Sequence, residues 1–310
     1  MKIVITGGAG FIGSHLVDHY LESDYEIVVI DNLLTGSEKN LEHNLSNKNF
    51  EFIIADVCNV TQISSAFDIL MHFACPASPF DFLEYPLETM KVMSVGTYNM
   101  LEIARNHQAK FILASTSEVY GDPLIHPQTE DYTGNVNMLS PRAVYDESKR
   151  FAETLVMTFN RKYKLKTGIV RIFNTYGERM RGHDGRVVPT LISEAIKAQP
   201  LPIFGDGTQT RSFCYISDMI EGIDRAMRID YSLPINLGNP EEHTVLELAQ
   251  LIKKLCKSNS PMKFMPLPDS DPKQRKPDIS KAKELLDWSP QVQLEQGLIQ
   301  IIKWFREKKE

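Results

Sequence analysis

A chain of 310 residues, 42% hydrophobic and 24% charged, can bury a sizeable core as one large α/β domain or two interlocked smaller ones. Its formal charge of −6 argues against nucleic acid or an anionic membrane as partner, because both select a basic face. Cys58, Cys75, Cys214 and Cys256 are scattered without CxxC spacing, which suits reduced thiols and neither a disulfide framework nor a zinc site.

The first residues run straight into "KIVIT", with no charged leader or cleavage signal. No apolar run approaches the length that crosses a bilayer, so a cytoplasmic protein is expected. "EIVVID", "FEFIIAD", "ILMHFA", "KFILAST" and "TGIVRIF" then follow as short β-branched runs, predicted as strands buried on both faces. Amphipathic stretches such as "LETMKVMSVGTYNMLEIARNH" separate several of them and predict helices. This alternation predicts an α/β fold, a Rossmann-type doubly wound parallel sheet with right-handed crossovers. After about Thr175 the pattern turns irregular, and it is periodic again at "VLELAQLIKKL" and "ISKAKELLDW". With no repeat or linker in view, the second half is expected to be a smaller cap packed on the sheet.

"TGGAGFIG" sits between the first strand and the first helix and spaces Gly7, Gly10 and Gly13 by three. In a dinucleotide-binding turn the first glycine permits the bend, the second lets backbone approach a pyrophosphate, and the third lets helix pack on strand. The helix N-terminus adds unpaired N–H groups and a positive dipole end. Asp31 closes the second strand, where an acid hydrogen-bonds the adenosine ribose, and with no arginine beside it the site favours NAD. Asp56 and Val57, ending the third strand in "IADV", stand where adenine could rest. His15 and His19 have the i, i+4 spacing of metal ligands, but no third ligand is nearby and no metal is expected.

"YDESK" places Tyr145 and Lys149 one helical turn apart on one face. Such a pair equally fits a solvated helix surface. A phenol titrates near 10 in water, and a nearby ammonium with an oxidised nicotinamide would lower that value and make it a base. "LASTSEVYG" delivers Thr116, Ser117 and Glu118 at the carboxyl end of a parallel strand, where such sheets build their sites.

Together "TGGAGFIG", Asp31, "STSEVYGD", "YDESK" and "RIFNTYG" resemble the extended short-chain dehydrogenase/reductase family over essentially the whole chain. The resemblance implies that Thr116 holds a sugar hydroxyl, Tyr145 takes its proton, Lys149 also binds the nicotinamide ribose, and a hydride passes from C4 to NAD. It also implies NAD contacts at Phe11, Ile12, Asn32, Thr35, Gly36, Phe73 and Ala74. It divides the chain into an NAD-binding domain, residues 1–175 plus about 213–240, and a smaller α/β nucleotide-sugar-binding domain, about 176–212 and 241–310. The helices "LETMKVMSVGTYNMLEIARNH" and "YDESKRFAETLVMTFNRKY" form a homodimeric four-helix bundle in the family, although apolar stripes alone would equally suit an internal core.

Within the family, 4,6-dehydratases carry an Asp-Glu pair where this chain has Ser117 and Glu118, and 4-epimerases generally lack the glutamate. "SDPKQRKPDISKAKELLDW", with "HFACPASP", "HPQTEDY" and "GDGTQTRSFCYISD", resembles the UDP-glucuronate decarboxylases. That implies Arg275 near the sugar carboxylate, Ser117 holding it, and Glu118 orienting a water or acting on the C5 proton. Asn174, Arg179, Arg186, Arg211 and Tyr215 are then expected around the nucleotide, since guanidinium forks suit phosphate oxygens. The alternatives are a UDP-uronate 4-epimerase, a decarboxylase of an N-acetylated uronate, or an NAD-binding regulator without catalysis.

Overall fold

The computed structural model describes residues 1–183, 185–267 and 274–307; residues 270–273 of the C-terminal motif and residue 184 of "DGRVV" lie outside them. The six expected runs form β1 (Lys2–Thr6), β2 (Glu26–Asp31), β3 (Phe50–Ile54), β4 (Ile69–His72), β5 (Lys110–Thr116) and β6 (Thr167–Ile172). A seventh strand, Pro234–Leu237, was not expected; its four residues, PINL, contain a proline and an asparagine and no β-branched run. The sheet order is Pro234–Leu237, β6, β5, β4, β1, β2, β3, and each neighbouring pair is parallel.

Successive side chains of a strand point to opposite faces, and here both faces are covered. Ile3 and Ile5 of β1 pack with Leu16 and Val17 of helix α1 (Phe11–Glu22), while Val4 joins Leu70, Leu101 and Val156 on the other face. One expectation needs correction: β3 is not buried on both faces. As the edge strand it leaves Glu51 and Ile54 exposed, and the charge at Glu51 discourages edge pairing.

"YDESKRFAETLVMTFNRKY" lies in a single helix, Ala143–Tyr163. The other long helix is interrupted: Pro86–Lys91 passes through a π-turn, Val92–Gly96, into Thr97–Asn106. Thr97 Oγ1 donates to the Val92 carbonyl five residues back, at 3.4 Å. The bulge seats Gly96 against Val57, where an added Cβ would stand 2.9 Å from a Val57 methyl.

The sheet register sets the place of the site. Thr6 is level with Ile30 and His72, and Thr116 with Ile172. The segments that follow these strands therefore emerge along one edge, the usual ligand crevice of an open parallel sheet. Past residue 175 the strands have two to four residues, too few to show a period: Cys214–Tyr215 on Thr175–Tyr176, Leu201–Phe204 on Met262–Met265, and Thr210–Ser212 between Glu242–Thr244 and Gln274–Arg275. Helices Val245–Leu255 and Ser280–Leu286 fall where periodicity returned. Helix Ile216–Arg228 and strand Pro234–Leu237 bring the chain back to the main sheet. Among the described residues no helix is long and apolar enough to cross a membrane.

Gly13 is the tightest packing constraint in the turn after β1. A Cβ there would stand 2.2 Å from the Gly7 carbonyl oxygen and 2.8 Å from Gly8 Cα, both backbone atoms that cannot swing aside. Gly13→Ala is expected to lower the unfolding free energy of the ligand-free protein by about 1–3 kcal/mol, read from urea denaturation. An unchanged midpoint would contradict the assigned close approach.

Candidate active site

A cavity of about 1590 Å³ runs along the carboxyl edge and draws its walls from both halves of the chain. The expected dinucleotide residues all line it: Gly7, Gly10, Phe11, Ile12 and Gly13 in the turn, then Asp31, Asn32, Thr35 and Gly36, then Asp56, Val57, Phe73 and Ala74, with Tyr145 and Lys149 deeper in.

Gly7 has φ +74°, a left-handed conformation that favours glycine, and a Cβ there would lie 2.5 Å from Ala74 N. An added Cβ at Gly10 would meet only the Gly7 carbonyl oxygen, at 3.2 Å. Gly10 is the N-cap of α1 and contributes no side-chain cap, and the first turn holds no acidic residue. The cradle thus offers N–H groups and a positive dipole end to phosphates with no competing charge. Asp31 Oδ2 accepts from Ala9 N at 3.0 Å and Oδ1 from Leu33 N at 2.8 Å, which holds the carboxylate at the cavity wall. Burial raises its pKa, partly offset by those two N–H groups. These features fit a dinucleotide with a free ribose diol.

Thr116, Tyr145 and Lys149 converge deeper in the cavity. Thr116 ends β5, and its side chain stands close enough to the Tyr145 hydroxyl to favour the phenolate. The Tyr145 ring stacks on Phe82, centroids 5.1 Å apart and planes 10° from parallel. Lys149 Nζ donates to the Ala114 carbonyl at 2.8 Å and stands 5.7 Å from the Tyr145 ring centroid. Burial, reinforced by Cys75, pushes the Tyr145 phenol well above its ordinary range, and the Thr116 side chain only partly offsets this. Burial likewise lowers the Lys149 pKa. The ligand-free protein therefore holds the phenol protonated at neutral pH.

Glu118 lies beside them at the cavity wall, between two guanidinium groups. Its Oε2 accepts from Arg142 Nη2 at 2.7 Å and its Oε1 from Arg275 Nη1. Burial opposes ionisation, but Arg275 and then Arg142 outweigh it and pull the carboxyl down to about 2. Arg275 is only 2% exposed and does not line the cavity; it stands behind Glu118 and donates through Nη2 to the Gly121 carbonyl at 2.8 Å. Asp146 completes the cluster. It is buried with Oδ1 unpartnered, and burial together with the Glu118 charge pushes its carboxyl up to about 7. Sequence reasoning passed over Asp146, Arg142, Phe82 and Cys75. Only Asp146 carried a local signal, its place directly after Tyr145 in "YDESK".

Ser117, Asn174, Arg179, Arg186 and Arg211 also line the cavity. Arg186 lies over the Phe11 ring, 5.6 Å from its centroid. Arg179 hydrogen-bonds Asp18 of α1 through Nη2, so part of its charge is neutralised within the protein. Tyr215 departs from expectation. It is outside the cavity wall, buried against Tyr176, and its hydroxyl donates to Glu178 at 2.6 Å. His15 and His19 turn to different partners, the Glu178 carbonyl at 3.1 Å and Asp224 at 3.8 Å. Among the described residues no group of three His, Cys, Asp or Glu side chains could hold a metal ion.

Comparison with known proteins agrees with this architecture. Residues 4–301 match the family described as GDP-mannose 4,6 dehydratase. The chain is 49% identical over 308 residues to UDP-glucuronic acid decarboxylase 2 of Arabidopsis thaliana, covering 99% of this chain and 69% of that protein. It is 48% identical over 304 residues to UDP-glucuronic acid decarboxylase 1 of Danio rerio, covering 98% and 72%. Among solved structures, the UDP-glucuronic acid 4-epimerase of Bacillus cereus in complex with UDP-glucuronic acid and NAD aligns with a TM-score of 0.89 at 31% identity, over 99% of this chain and 100% of that one.

The Glu118–Arg275 pair yields a stability prediction. Glu118→Ala strands a buried guanidinium and is expected to cost about 3–5 kcal/mol in urea unfolding of the ligand-free protein, whereas Glu118→Leu combined with Arg275→Met is expected to cost less. The Glu118 carboxyl has a lower pKa folded than unfolded, so the wild-type contribution is complete above the unfolded value and fades as pH falls toward about 2. Equal losses in the single and double variants would refute the coupling.

Proposed function

The chain belongs to the GDP-mannose 4,6-dehydratase family, and from that premise we infer that it is an NAD-dependent UDP-glucuronate decarboxylase, a carboxy-lyase that forms UDP-xylose. The observation that carries this reading is the Glu118–Arg275 pair set behind Thr116 and Tyr145, in a chain about half identical to UDP-glucuronic acid decarboxylases over nearly its full length. Ser117 supports it too, because a hydroxyl stands where the 4,6-dehydratases carry their acid.

The chemistry follows from the side chains. Thr116 Oγ1 holds the C4 hydroxyl of the sugar, and its proton passes to Tyr145 Oη. NAD, when bound, supplies a positively charged ring that favours the phenolate and carries the C4 hydride out and back, so it is absent from the net equation. Lys149 is anchored on the Ala114 carbonyl and contributes its charge beside the phenol and donors for the nicotinamide ribose. With C4 as a ketone the C6 carboxylate is β to a carbonyl, and carbon dioxide leaves with its bonding electrons delocalised into an enolate. Ser117 holds the carboxylate. Glu118, ionised throughout the physiological range, accepts hydrogen bonds and orients the water that protonates C5, and Arg275 keeps it ionised from behind.

Gly7, Gly10, Gly13 and Asp31 hold the coenzyme, and Asn174, Arg186 and Arg211 hold the nucleotide sugar, with Arg179 as a supporting charge. Residues 1–175 with about 213–240 then form the coenzyme domain, and about 176–212 with 241–310 the sugar-nucleotide domain. Leu87, Met90, Tyr98 and Phe151 are 75%, 51%, 49% and 49% exposed on the helices expected to pair, which supports a homodimer through a four-helix bundle. The reduced thiols support the cytoplasm as the compartment.

Purified protein with UDP-glucuronate and NAD is expected to release one carbon dioxide per UDP-xylose formed. UDP-galacturonate with its carboxyl intact would overturn the reading in favour of a 4-epimerase. Tyr145→Phe is expected to reduce kcat by roughly 10²–10⁴-fold while coenzyme affinity, measured by calorimetry, stays close to wild type. Near-normal turnover in that variant would remove Tyr145 as the base.

A further inference from the structure

Arg275 reaches Glu118 from the short strand Gln274–Arg275, which pairs with Thr210–Ser212 on one side and is fixed at the next residue by the side chain of Gln128. Gln128 is completely buried. Its Oε1 accepts from Lys276 N at 2.8 Å, its own N–H donates to the Lys276 carbonyl at 2.9 Å, and its carbonyl accepts from Asp278 N at 2.8 Å. The remaining donor, Nε2, bonds the Ile125 carbonyl at 2.8 Å. Both backbone groups of the residue after Arg275 are thus held by one glutamine, which bridges Pro277 in parallel register.

The arrangement is tied to the main sheet. Asn236, in strand Pro234–Leu237, donates through Nδ2 to the Gln128 carbonyl at 3.0 Å and to the Asp278 carbonyl at 3.1 Å. Its Oδ1 accepts from the Tyr120 hydroxyl at 2.7 Å, and Tyr120 belongs to the turn Ser117–Tyr120 that carries Glu118. A continuous set of buried hydrogen bonds therefore fixes the two partners of the ion pair to the same strand. A buried amide whose oxygen and nitrogen are both hydrogen-bonded to backbone holds its neighbours at one spacing, because shifting them would leave polar groups unpaired in a low-dielectric interior.

We propose that Gln128 is a positioning residue for carbon–carbon cleavage: through Lys276 it sets where the Arg275 guanidinium meets Glu118 from behind, and so how Glu118 faces the sugar carboxylate and C5. This rests on the decarboxylase reading of Arg275 above. Gln128 does not line the cavity, and the strand it fixes pairs Arg275 with Arg211, so its loss acts first on the placement of Arg275 and leaves the coenzyme turn in place.

The test compares Gln128→Met, close in length but without amide bonds, with Gln128→Glu, which keeps an acceptor for Lys276 N. Each is assayed as holoenzyme with UDP-glucuronate for kcat, KM and the heavy-carbon isotope effect at C6, with Arg275→Met alongside. Gln128→Met is expected to lower kcat about 10–100-fold with KM within about threefold, the cost of misplacing a catalytic constellation by a fraction of an ångström to an ångström. The isotope effect should rise as cleavage becomes rate-limiting, and Gln128→Glu should recover part of the rate. If Arg275→Met shows the raised isotope effect and Gln128→Met has wild-type kinetics, or loses activity only in proportion to its folded fraction with an unchanged isotope effect, the role of Gln128 is refuted. An unchanged Arg275→Met would instead refute the reading of Arg275 and this proposal with it.

Discussion

Everything at the site depends on the seven strands being parallel and in register. Parallel neighbours cannot be joined by a tight turn, so each connection crosses the sheet and every strand ends on the same edge. That geometry places Gly7, Asn32, Phe73 and Ser117 along one rim although they lie far apart in sequence. It also buries both faces, which leaves the rim as the place where polar side chains can gather without disrupting the core. An antiparallel sheet of the same composition would scatter these residues to both ends.

Collecting charge at a closed rim has an electrostatic consequence. Glu118, Asp146, Arg142 and Arg275 form a compact cluster in which two guanidinium groups face two carboxyls, and only one carboxyl is driven to low pKa. Glu118 takes the hydrogen bonds and stays ionised; Asp146, with one oxygen unpartnered, is pushed toward protonation by burial and by its neighbour's charge. The same environment raises the Tyr145 pKa, so the phenol is protonated in the ligand-free protein.

The Glu118–Arg275 contact also joins distant parts of the chain: the turn after β5 and a two-residue strand more than 150 positions later. Buried ion pairs are weak sources of net stability and are better understood as devices of geometry. Here the pair closes the second half of the chain onto the sheet at the cavity wall, and Gln128 and Asn236 hold that closure to the main sheet. Arg171 plays a parallel structural part below, binding Glu153 through two nitrogens while also donating to the Tyr120 hydroxyl.

The sequence by itself determined the six long strands, the glycine turn, the acid at Asp31, the Tyr145–Lys149 spacing and the family. Each of these is a local pattern: β-branched runs, a strand–turn–helix glycine spacing, or an i, i+4 pair. Tertiary structure alone decided the strand Pro234–Leu237, the π-turn at Val92–Gly96, the withdrawal of Tyr215 into the core and the place of Arg275 behind Glu118 rather than at the cavity wall. It alone decided the ionisation of the cluster, since pKa shifts come from burial and from charges as far as 157 positions away in sequence. Local periodicity reads what neighbours along the chain dictate; which buried polar group meets which is set by how the helices and loops close over the sheet, and no spacing in the sequence encodes that.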